Sequence, residues 1–394
     1  MNIFLIVYKA EIKKIISKKS VWIALLIGLA FVFLTGLTNL SSEGHISYVK
    51  SSRDILYQIE GHEMDEAFFA DFQNEVMDEL NNNADKYEKL MSDDPGVAFM
   101  NGADAIGKKS LFDLIYNVVR DRSYVETVTG DLFYEKMREN IINDGKELGA
   151  SDEEIGIWLS KYDSIEKPMK YYYAGSYSNI LDACFFVGWV LFLNIAIALS
   201  GVFADEKNYK TDAIILSARK GRSTLCLAKI AAAVTVALLL GFIIIGSFFG
   251  VMFAFFGAEG SRGMIQNIIP SSPWNITIGQ MVQIFILLAF ITTCFWAFTN
   301  ILLSHLTRSA VATMAIHAAI LFVGLFNIPS KMGVIAKLWE LRPTMALYYG
   351  NFCNTYIYGT MNNVQASVLI YSLCMVMFAA VLFFSYNNSQ VESR

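Results

Sequence analysis

The residues 102–108, Gly102-Ala103-Asp104-Ala105-Ile106-Gly107-Lys108, carry the glycine spacing of a loop that could cradle a phosphate. That chemistry needs a Ser or Thr directly after the lysine, to ligate magnesium, and a strand before the loop. Lys109 follows here, and the surrounding pattern is helical, so no nucleotide site is expected. The adjacent carboxylates Asp93 and Asp94 lack the ligand spacing of a calcium loop and read as a solvated turn. The four histidines are His45, His62, His305 and His317, and none belongs to an H-E-x-x-H motif. No G-x-S-x-G occurs either, so neither a metalloprotease nor a serine hydrolase is indicated. The five cysteines have no zinc spacing, and no catalytic or metal-binding residue is expected. Four polar residues remain inside apolar runs: Asn194, Gln283, Asn300 and His317. Such groups line a translocation pathway or bond between helices, and the sequence leaves both open.

These residues sit in an all-α membrane protein. The chain has 394 residues, of which 55% are hydrophobic and 17% charged, against about 25% charged in soluble domains. Six uncharged apolar runs, at 21–37, 183–202, 230–257, 281–304, 310–326 and 368–386, approach the length of about 20 residues that a spanning helix needs. Six transmembrane helices are therefore expected, the third tilted or broken near Gly241, Gly246 or Gly250. Between the first two lies an insert, residues 38–179, with 28 acidic and 14 basic residues, while the rest of the chain is net basic. No soluble segment is basic enough for nucleic acid.

Positive charge sets the orientation. Lys9, Lys13, Lys14, Lys18 and Lys19 precede the first run. Lys207, Lys210, Arg219, Lys220, Arg222 and Lys229 separate the second from the third. His305 and Arg308 separate the fourth from the fifth. These segments and both termini are placed in the cytoplasm. The insert and the 327–367 loop are placed outside. Residues 1–20 read as an amphipathic helix on the inner surface, with Leu5, Tyr8, Ile12, Ile15 and Ile16 on one face. The insert reads as helical over 62–91, 106–119 and 124–148, followed by a helix opened by a capping box, Ser151 to Glu154.

The cytoplasmic segment 204–229 mixes Glu206 with Lys210, Arg219, Lys220 and Arg222, a patch able to carry force as a docked rigid helix. In Glu206, Leu216-Ser217, Arg222 and Lys229 it resembles the loop between spans two and three of the type-2 family of ABC transporter permeases. It departs from that pattern in Lys210-Thr211, where Gly-Thr is usual, and in lacking a proline before Arg222.

The resemblance implies a permease subunit of a bacterial plasma-membrane ABC transporter, an exporter whose cargo the sequence leaves open among antimicrobial peptide, drug, lipid-linked glycan and sodium ion. It implies no cofactor in this chain, with ATP and magnesium bound by two separate cytoplasmic ATP-binding subunits. The permease would pair with a second copy or a sibling. Glu206, Lys210, Leu216, Arg219, Lys220, Arg222 and Lys229 would then form the ATPase-docking surface. The alternative is a membrane-anchored sensor whose insert captures an extracellular ligand, although two spans would suffice for that.

Overall fold

The computed structural model describes residues 3–208, 221–353 and 356–388. Helices α1 (Ile3–Ile16) and α2 (Lys19–Glu43) lead into the insert, which holds α3 (Ile46–Tyr57), α4 (Glu66–Asn82), α5 (Ala84–Asp93), α6 (Pro95–Ala105), α7 (Lys109–Val119), α8 (Arg122–Val125), α9 (Gly130–Glu147) and α10 (Asp152–Asp163). Then come α11 (Gly175–Leu199), α12 (Gly201–Asn208), α13 (Gly221–Phe256), α14 (Ile278–Thr307), α15 (Ala310–Val323), α16 (Val334–Glu340) and α17 (Asn363–Asn388). Before α17 a small antiparallel hairpin pairs Ile357 with Asn362.

Five helical stretches among the described residues are long and apolar enough to cross a bilayer: α2, α11 running on into α12, α13, α14 and α17. The run at 310–326 is helical only as α15, which has 14 residues. Its length is about 21 Å, short of the roughly 30 Å hydrocarbon layer. The helix stops because the Arg342 guanidinium takes the Gly324 carbonyl and the Asn327 side chain, which turns the chain aside before Pro329. Six full-length spans are thus not what the helix lengths show. The third run does not break at its glycines: α13 is one helix of 36 residues.

α11 packs against α2, α13 and α14; α13 also carries α1, and α14 carries α17. Leu191, Ile195, Ile244, Phe248, Trp296 and Ile301 are buried at the centre. The remaining faces of the long helices expose Leu26, Phe242, Phe290 and Val376, as a lipid-facing surface must.

The insert has its own aromatic core. Phe69 and Phe72 of α4 meet Phe133 and Phe99 at ring-centroid distances of 5.0 and 5.9 Å. Each such buried ring contributes about 1.5–3 kcal/mol. The expected 62–91 helix is two helices, split at Asn83, the last of three consecutive asparagines, whose side chain bonds the Glu79 carbonyl. The Asp93-Asp94 turn also starts a helix: Asp94 caps α6 and Pro95 stands in its first turn. Thr129 caps α9, later than the expected start at 124. The phosphate-loop resemblance is dissolved, since Lys108 is buried and ion-paired with Glu75. Both ends of the insert meet in a neck where Gly61 N–H donates to Tyr171 O and Tyr171 N–H to His62 O.

The capping box at α10 forms, and Glu154 has a second task. Its Oε2 accepts from Ser151 N–H at 2.9 Å, while Oε1 accepts from Lys337 Nζ at 2.5 Å and Ile357 N–H at 3.0 Å. The insert is thereby tied to α16 and the hairpin. Burial opposes ionisation of Glu154, but Lys337 and the two backbone N–H groups outweigh it and lower its pKa. A depressed carboxylate gives stability that is complete above its ordinary value, 4.5, and disappears as pH falls through the lowered one. Glu154→Gln should therefore lower thermal stability at pH 7, by about 1.5–3 kcal/mol for charged hydrogen bonds. The difference from wild type should close as the melting curves are taken below pH 4.5.

Candidate functional site

The densest buried charge lies at the end of the bundle opposite the insert. Lys229, in the third turn of α13, is fully buried. Its Nζ is 2.9 Å from Glu206 Oε1 on α12 and 3.2 Å from Glu11 Oε2 on α1. It also donates to the Val202 carbonyl at 2.7 Å and stands 5.3 Å from the centre of the Phe203 ring. Glu206 and Glu11 are 7% and 9% exposed. The Tyr386 hydroxyl of α17 donates to Glu206 Oε2 at 3.3 Å. One ammonium thus joins two carboxylates, a carbonyl and an aromatic face, with its hydrogen-bonding capacity filled. Burial and the Lys229 charge hold Lys14 below the ordinary lysine range, with Glu11, Glu206 and Asp205 opposing.

Neighbouring contacts enlarge the junction. Lys18, between α1 and α2, pairs with Asp205 at 2.9 Å. Gly201 leaves the room: a Cβ there would stand 2.6 Å from both the Asp205 carboxylate and Lys18 Nζ. The step from α11 to α12 is held by Ser304 of α14. Ser304 Oγ donates to Ser200 O at 2.6 Å and accepts from Phe203 N–H and Ala204 N–H at 3.2 and 3.1 Å. Phe203 also meets the rings of His305 and Tyr386 edge-on.

Of the expected docking residues, the structure brings Glu206 and Lys229 together, and it buries them. In that state neither offers its charge to a partner's surface; they brace the roots of the segment between α12 and α13. Lys210, Leu216, Arg219 and Lys220 lie outside the described residues, and Arg222 is the second residue of α13. The amphipathic N-terminal helix forms, but its apolar face is divided. Ile15 is buried against the bundle and Tyr8 bonds Thr235 at 2.9 Å, while Leu5 and Ile16 stay exposed.

Among the described residues, no hydrogen bond joins the four intramembrane polar residues to one another. Gln283 is exposed on α14, on the face opposite Met281 and Phe285. Asn194 is buried and donates within its own helix to Val190 O. His317 Nδ1 bonds Thr313 O one turn back, and its ring meets Trp296 at 5.2 Å. Asn300 is fully buried, one turn from Trp296, and its amide makes no bond among the described residues.

Glu11, Ser304 and Tyr386 escape a reading by motif. The available signal was Glu11 itself, the one acidic residue among the first 20, three positions after Tyr8 and four before Ile15 on the apolar stripe. A family model described as ABC-2 family transporter protein matches residues 5–385. No curated protein and no solved structure matches the chain.

Proposed function

The chain belongs to the ABC-2 family of transporter proteins, and from that premise we propose that it is the permease subunit of an exporter driven by a separate ATPase. The observation that carries this reading is the Glu11–Lys229–Glu206 junction. It ties both roots of the 209–220 segment to α1, and through Tyr386 to α17. A push on that segment is delivered to α12 and α13 together. The chain needs such an input, because its phosphate-loop resemblance is structural and ATP with magnesium would be bound by its partners.

The lysine-rich side of the bundle faces the cytoplasm of a bacterial cell in this reading, and the insert faces outward. α15 completes a sixth crossing with the segment that follows it. Two ATP-binding subunits act on a pair of permeases, this chain with a copy or a sibling. Arg219, Lys220 and Arg222 grip the ATPase, with Lys210 and Leu216 beside them, while Glu206 and Lys229 transmit the load from within. The net acidity of the insert favours cationic cargo, an antimicrobial peptide or drug.

Reversal of the charges, Arg219→Glu with Lys220→Glu and Arg222→Glu, should abolish co-purification of the ATP-binding subunit while the permease still inserts. A stoichiometric complex with that variant would refute the docking assignment.

A further inference from the structure

At the insert end, a cavity of about 140 Å³ opens where the end of α2, helices α3 and α7, the neck and the first turns of α11 meet. Glu43, Asp113 and Asp182 stand in its wall, and none makes an ion pair or hydrogen bond among the described residues. Two buried tyrosines line it as well, Tyr171 at 3% exposure and Tyr173 at 6%. Neither hydroxyl bonds another described residue, and neither is sealed from solvent. The Tyr173 hydroxyl lies over Gly175, itself part of the wall. A hydroxyl with no protein partner beside a cavity is free to bond a molecule lodged there.

The occupant's chemistry follows from the wall. The cation that acts on these carboxylates is Lys109, whose charge reaches Glu43 and Asp113 without forming a pair with either. Among the described residues no three His, Cys, Asp or Glu side chains converge as a metal site. The negative charge is spread around the cavity, which suits an extended organic cation better than a point charge. Phenol rings add faces that attract such a cation. The cavity continues past Asn117, Ser178 and Asp182 into a second one of about 380 Å³, so a longer molecule has somewhere to lie. Burial raises the Asp113 pKa, with Lys109 opposing and Asp104 adding, as for a carboxylate awaiting its counter-charge.

We propose that this cavity binds an ammonium or guanidinium group, carried by a basic peptide or a polyamine. This deepens the transport reading by naming the substrate class, and it rests on that reading only for the use made of binding. The test needs no ATPase: the full chain in nanodiscs is titrated with tetralysine and with spermidine at 0.15 M salt, where screening of exposed charges is strong at about 8 Å. Saturable binding is expected, weakened at least tenfold by Glu43→Gln with Asp113→Asn, and severalfold by Tyr171→Phe. Asn117→Lys supplies a tethered ammonium, and should abolish binding without lowering the melting temperature. Binding of tetralysine alone assigns a peptide; equal binding of spermidine assigns a polyamine. No saturable binding of either, or wild-type affinity in both the double variant and Asn117→Lys, overturns the proposal. Intact binding with no ATP-driven movement of the probe would instead sink the transport reading and leave the site standing.

Discussion

Replacement of Lys229 by alanine should destabilise the protein by about 3–5 kcal/mol, the cost of stripping one member from a buried ion pair. The variant leaves Glu11 and Glu206 facing one another with their shared cation gone, and takes a donor from the Val202 carbonyl. Denaturation of the detergent-solubilised chain measures the loss. A companion variant separates charge from shape: Lys229→Met with Glu11→Gln and Glu206→Gln removes the whole ionic set while keeping similar volumes. It should recover most of the stability, because a fully replaced buried ionic cluster is often neutral or better. It should not recover transport, since the connection from the 209–220 segment to α1 would be lost. A Lys229→Ala chain within 1 kcal/mol of wild type would remove the junction from any structural role.

Gly260→Ala should be nearly as damaging, at the other end of the bundle. Gly260 has φ +89° in the turn after α13, and a Cβ would collide with the Tyr173 carbonyl oxygen and meet Ala174 Cβ at 3.0 Å. The left-handed backbone costs alanine roughly 1–2 kcal/mol. Forcing a methyl group into filled space costs about 1–3 kcal/mol more, and here the obstacle is backbone rather than a side chain that can swing aside. The expected sum is about 2–5 kcal/mol in the same denaturation assay. Proteolysis at the insert neck should accelerate in the variant, because Tyr173 and Ala174 belong to the segment that leaves the insert. Wild-type proteolysis rates would show that the turn yields without disturbing the neck.

The spanning helices were legible because their signal is one-dimensional: hydrocarbon excludes charge, so charge-free length reports the crossing. The capping box at Ser151 and Glu154 was legible for a similar reason, its two partners being three residues apart. The end of α15 was hidden, because Arg342, which captures the Gly324 carbonyl, comes 18 residues later. Glu206 and Lys229 stood out by residue type, yet their burial did not, since it depends on Glu11, 218 residues before Lys229. The carboxylates of the insert-side cavity, Glu43, Asp113 and Asp182, likewise lie on separate helices far apart in sequence. Patterns within one helix tell which face is apolar; they do not say which distant helix brings a counter-charge to it.

Ser304 illustrates what the folded chain adds. Its single hydroxyl serves three backbone groups at the elbow between α11 and α12. If α14 slid past that elbow by a couple of ångströms, two amides and a carbonyl would lose their partner at once, in a place water does not readily reach. The elbow and α14 are therefore fastened as one stiff piece, and any rocking of this protein must pivot along some other seam.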